Sequence, residues 1–101
     1  MQTTKTIAEL ETAAETARKT HAAAFARCNT VRMMIAAMRE AEGAVDECPL
    51  DVRAMVESSV DFAVIPRLIR EQMAMGAEVA RLEDVYHDAC AALNDAPEEA
   101  A

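Results

Sequence analysis

The 101-residue chain has no Trp, one Tyr and two Phe, so it lacks the large rings that usually dominate a folded core. With two Gly and three Pro it also lacks the turn residues that a many-stranded sheet needs. Its Val and Ile are scattered rather than gathered in alternating runs, which excludes strands. No apolar run approaches the roughly 20 residues that span a bilayer. Met1 to Leu10 carries no charged stretch followed by an apolar one, so neither a membrane anchor nor a secretory leader is expected. The three cysteines, Cys28, Cys48 and Cys90, are an odd number at unrelated spacings. That argues for a reducing compartment and a cytoplasmic location over a disulfide framework, with an intermolecular Cys48 bridge as the alternative. Positive charge is scarce too. Ten Lys and Arg stand against 18 Asp and Glu, and the net charge of -8 excludes the basic footprint that direct binding of nucleic acid or an acidic membrane requires. There is no Gly-rich phosphate loop, and no catalytic or cofactor motif.

What is abundant is small and apolar. Hydrophobic residues make up 52% of the chain while aromatics make up 3%, so the apolar content is mainly Ala with Met, Val, Leu and Ile. That composition favours helix, and the length fits one domain with a thin core. The sequence therefore predicts an all-α fold in a single helical domain over residues 1–101.

From Ile7 onward, apolar or small residues recur in steps of three and four: Ile7, Leu10, Ala14, Ala17, His21, Ala24, Cys28, Val31, Ile35 and Met38. This is the seam of a coiled coil or helical bundle, held for about five heptads with one polar member. Thr3, Thr4 or Thr6 can cap its start, with Glu9 completing a capping box on Thr6, and Gly43 is placed to end it. The first helix should thus cover about 4–42, roughly 55 to 60 Å at 1.5 Å per residue. An acidic linker from Gly43 to Asp51 follows, in which Pro49 suits a first helical turn and Asp51 complements the helix dipole. A second helix over about 49–65 would turn Val52, Met55, Val56, Ser59, Phe62 and Ala63 to one side. Pro66 then kinks or breaks the arm. Beyond it Ile65, Leu68, Gln72, Met75, Val79, Leu82, Tyr86, Ala89 and Leu93 restore a strict seam for a helix over about 66–94, and residues 95–101 read as a frayed acidic tail.

Folding at Gly43 to Pro49 gives a long antiparallel hairpin. With straight arms, residues whose numbers sum to roughly 93 share a level, which sets Ile7 beside Tyr86 and His21 beside Gln72 as a polar pair fixing the register. A hairpin buries one stripe per helix, yet Phe25, Met33, Met34, Val56, Val60, Val64, Ile69 and Met73 lie off the seams. Apolar surface of that extent marks an interface, so a homodimer or higher helical bundle is expected. A monomeric three-helix bundle broken sharply at Pro66 is the alternative.

Residues Thr16 to Arg39 hold Arg18, Lys19, Arg27, Arg32 and Arg39 and no acid. Arg18, Arg32 and Arg39 share one seam-flanking position and Arg27 the other, while Glu71, Glu78 and Glu83 flank the later seam, so pairing between helices is the first reading. The second is an anion or nucleotide site where Arg18, Arg27, Arg32 and Arg39 of several subunits converge. Glu83, His87 and Cys90 share a helical face at spacings of four and three, and Asp84 with His87 repeats a spacing used in bundle metal sites. They are weak metal candidates, since the first helix supplies Glu9, Glu11 and Glu15 with no histidine three residues on, and a solvated face explains them as well. His21 and Cys28 are about 10 Å apart along a helix, too far for a nucleophile and its base. Met33, Met34, Met38, Met55, Met73 and Met75 suit adaptable packing, or a groove for a partner helix. Acid concentrates in Glu40 to Asp51 and Glu83 to Glu99, which raises mimicry of nucleic acid beside the plainer reading of a solvated surface.

The function this pattern predicts is non-enzymatic: a small cytoplasmic helical adaptor, inhibitor or regulatory subunit that self-associates and binds another protein through Phe25, Met33, Met34, Val60, Val64 and Ile69. A bundle sequestering an anionic small molecule is the first alternative, and an acidic mimic blocking a nucleic-acid-binding protein the second. No cofactor, nucleic acid or membrane is called for.

Overall fold

In a computed structural model, which describes residues 5–96, 89% of the described residues are helical and none is in a strand. α1 spans Ile7–Val45, α2 spans Leu50–Ser59, a single 3-10 turn covers Phe62–Val64, and α3 spans Ile65–Asn94. α1 packs against α3 as a helical hairpin.

The start of α1 follows from its cap. The Thr6 hydroxyl accepts the backbone N–H of Glu9 at 3.1 Å and donates to the Glu9 carboxylate at 3.2 Å, so one exposed donor of the first turn is satisfied by the side chain before it. Thr3, Thr4 and the tail over 97–101 lie outside the described residues. The end of α1 differs from expectation. Gly43 has an ordinary negative φ and sits inside the helix, which runs on to Val45. A mid-helix glycine costs about 1 kcal/mol, whereas burying a valine side chain contributes about 1.5–3 kcal/mol, and Val45 is buried. Burial of Val45 therefore outweighs the helix-ending tendency of Gly43. The carbonyls of Ala44 and Val45 then accept the N–H groups of Glu47 and Cys48, each at 3.1 Å, and close a tight turn.

The interruption before α3 also lies elsewhere than at Pro66. Pro49 is the residue just ahead of α2 rather than part of its first turn, and α2 ends after ten residues, at Ser59. Val60 and Asp61 are extended, and the Asp61 carboxylate accepts the Ala63 N–H at 3.0 Å to start the 3-10 turn. Pro66 becomes the second residue of α3, where its missing donor costs nothing. The Phe62 carbonyl, which Pro66 cannot serve, accepts the Ile65 N–H instead. The break is thus moved five residues upstream, to a place where an aspartate can cap the restart.

The described residues fall into two compact units, one from residues 5–26 with 76–96 and one from 27–75. In the first, Ala14, Ala17 and Ala24 of α1 and Leu82 of α3 are buried. In the second the buried residues are Ile35 and Val45 of α1 and Ile65 of α3. Every position of the two heptad seams is buried or half-buried, His21 and Gln72 included. α2 buries nothing, and of its expected inward face within 50–59 only Val56 is half-buried, with Phe62 half-buried in the 3-10 turn that follows.

The register departs from the straight-arm expectation. The Cys28 thiol faces the Gln72 backbone carbonyl at 3.9 Å, so Gln72 lies level with Cys28, two turns along α1 from His21. In the other unit the charges of Arg18 and Glu15, eight or more residues along α1 from Ile7, act on Tyr86. Both shifts have one cause. The stretch from 46 to 64, a short helix followed by extended residues, does not descend along α1 as a continuous arm would, so α3 begins beside a later part of the partner stripe. His21 and Gln72 accordingly do not form a register pair. His21 instead lies with its ring 6.4 Å from that of Phe25.

The alanines of the seam set how closely the helices approach. Ala24→Leu is expected to lower stability by about 1–3 kcal/mol through overpacking, while Ala23→Leu, on the exposed side one residue away, changes it by less than about 0.5 kcal/mol. Urea unfolding followed by circular dichroism measures both.

Candidate interaction surface

Charge pairing is local to each helix. Arg18 grips Glu15 through two hydrogen bonds of 2.9 and 2.6 Å, with Lys19 at 3.9 Å, and Arg81 holds Glu78 in the same manner at 2.9 Å. Arg32 donates to Asn29, one turn earlier. The expected pairs to Glu71, Glu78 and Glu83 are not formed; Arg18, Arg32 and Glu78 instead make contacts three residues apart, because neighbours on one exposed helix face meet at no cost in backbone placement. Among the described residues Arg27 and Arg39 make no ion pair. Arg27, Arg32 and Arg39 follow one another along α1 at roughly 7.5 and 10 Å of axial rise, and Arg18 is committed to Glu15, so one chain does not gather the four into an anion site.

The hydrogen bond from Arg18, reinforced by its charge and that of Lys19, holds the Glu15 carboxyl below its ordinary range, and Arg81 does the same to Glu78. Both pairs are exposed and screened. Near the C-terminus the weak metal candidates diverge. His87 Nε2 lies 3.9 Å from Glu83, whereas Cys90 interacts with Tyr86, and that interaction holds the Tyr86 hydroxyl above its usual value. Among the described residues no three His, Cys, Asp or Glu side chains are arranged to hold a metal ion.

Arg53 shapes the short helix. It bridges Asp46 of the turn at 3.2 Å and Glu57 one turn on at 2.9 Å, and the Glu57 bond with these two charges raises its own affinity for the proton. This clamp turns Arg53 and Val56 inward. The opposite side of α2 carries Leu50, which is 82% exposed, and Met55, 68% exposed.

Of the expected contact residues, Phe25, Met33, Met34 and Val60 are exposed, Phe25 by 56% and Met33 by 62%, while Val64 and Ile69 are half-buried. Leu50 and Met55 were not expected on the surface. Leu50 reads as linker and Met55 as inward-facing if α2 is placed by its apolar residues. The signal that locates them is electrostatic: Asp46, Arg53 and Glu57 at spacings of seven and four. In the same unit as α2, Phe62, Ile65, Pro66 and Ile69 floor an open groove of about 540 Å³, rimmed by Arg39 and Glu42. No helix is long and apolar enough to cross a membrane among the described residues.

The depressed Glu15 and Glu78 carboxyls carry a sign for acid titration. Their folded values lie below the unfolded ones, so their stabilisation is complete above the ordinary carboxylate value of about 4.3 and is lost as pH falls through the folded values. A variant with Glu15→Gln and Glu78→Gln is expected to show a shallower loss of melting temperature on acidification below that value, measured by circular dichroism at low salt.

Compared with known protein families, curated proteins and solved structures, the chain matches none.

Proposed function

We propose that the chain is a non-enzymatic protein–protein interaction module: a small cytoplasmic helical adaptor, inhibitor or regulatory subunit that works as a homo-oligomer. The observation that supports this reading is the division of apolar residues between inside and outside. Among the described residues three of the seven buried ones are alanines, and no side chain is completely buried. Meanwhile Phe25, Met33, Met34, Leu50, Met55 and Met73 stand in solvent. Each large apolar side chain gains about 1.5–3 kcal/mol when fully covered, so association that covered them would add apolar burial that the single chain leaves unmade. Methionines at such positions also adapt to a partner's contour.

Sedimentation equilibrium of the full chain from low to high micromolar concentration tests the reading. The expected result is a mass above the 10.9 kDa of one chain. A single species of that mass across the range overturns it. Thermal shift against nucleotides and inorganic phosphate separates it from anion sequestration, because a ligand that binds the native state alone raises the melting temperature by mass action. Melting that rises with chain concentration and ignores these anions is the expected outcome.

A further inference from the structure

We infer that two copies of the chain associate by exchanging α2, each seating Leu50 and Met55 in the groove that Phe62, Ile65, Pro66 and Ile69 form on the other. The inference rests on the self-association reading above and names the surface that carries it.

α2 is the natural donor. Helices this short are marginal in water, yet this one buries no residue of its own. Along it, Leu50, Ala54, Asp51, Ser58 and Met55 fall on one outward arc while Arg53 and Val56 turn inward, so a small and apolar surface with one carboxylate faces away from the unit. The acceptor is equally short of a partner. Four apolar side chains floor the groove, which is open and takes its first floor residue from three positions after α2 ends, so donor and acceptor are neighbours along the chain in one unit. That adjacency suits a two-fold interface, in which each copy gives and receives the same elements.

Charge selects the occupant. Residues 27–75 hold six Arg against eight Asp and Glu, a net -2, whereas the remaining residues hold four Lys and Arg against ten Asp and Glu, a net -6. Two copies that repel elsewhere can approach most easily through 27–75. On the groove rim Arg39 has no ion pair among the described residues, and on the outward arc of α2 Asp51 has none either, so the exchange brings an unpaired guanidinium to an unpaired carboxylate. Glu42, the other rim charge, opposes Asp51.

The test uses the full chain and its dimerisation constant from sedimentation. Leu50→Asp with Met55→Asp is expected to leave a monomer throughout the micromolar range with unchanged helicity, since both side chains are exposed. Arg39→Glu and Asp51→Arg are each expected to weaken the dimer about tenfold or more, the combination to restore most of that loss, and Glu42→Gln to tighten it. Rescue by the combination cannot arise from local damage to α2. A wild-type chain that associates while L50D/M55D associates equally well overturns the inference and leaves the self-association reading standing. A wild-type chain that stays monomeric overturns both.

Discussion

The close approach permitted by the alanine seam of α1 is the constraint from which the other features follow. Ala14, Ala17 and Ala24 are buried where a bundle helix would ordinarily place leucine, and each contributes little area to the hydrophobic term. A core assembled from such residues gains stability mainly through dispersion between closely spaced backbones. At the alanine positions it tolerates no enlargement. Phe25 and Met33 lie off the seam and stay exposed.

The second constraint is local. Pro66 lacks the donor that an uninterrupted helix would offer to the Phe62 carbonyl, and the chain resolves this by stopping at Ser59, extending through Val60 and Asp61, and restarting on an aspartate cap. Once α2 is cut to ten residues its orientation depends on Arg53, held between Asp46 and Glu57. These contacts are partly exposed and individually weak, but they act on a helix with no buried residue to oppose them. A modest electrostatic preference can therefore decide which side of α2 meets solvent, and it turns Leu50 and Met55 outward.

Much of this was legible in the residues alone. The α1 and α3 seams and the Thr6–Glu9 cap follow from spacing, because heptad periodicity and capping chemistry are properties of one helix read along its length. What spacing could not show were the results of competition between terms. Gly43 argues for a stop and Val45 for continuation, and only the burial of Val45 decides between them. The level of Gln72 against Cys28 depends on how far the chain travels between 46 and 64, which no seam encodes. The pairing of Arg18 with Glu15 and of Arg81 with Glu78 reflects the short reach of an exposed ion pair, where a neighbour one turn away prevails over a better-placed partner on another helix. The contact surface was half legible for a related reason: Phe25, Met33 and Met34 lie off any seam, but the exposure of Leu50 and Met55 depends on the clamp at Arg53.

The distribution of polar groups bears on which class of function the chain suits. Among the described residues no polar or charged side chain is buried, and no buried polar atom lacks a partner. Acid–base and nucleophilic chemistry depends on groups whose surroundings differ from water, since a low dielectric or a fixed neighbour is what moves a proton affinity toward its task. Here the shifted carboxyls, Glu15 and Glu78, are exposed, and their arginines stabilise the charged form they would hold in water at neutral pH anyway. The groups that are far from their preferred solvent are apolar: Leu50, Met55, Met33 and Phe25. Another protein surface would cover them, and the proposed association rests on that.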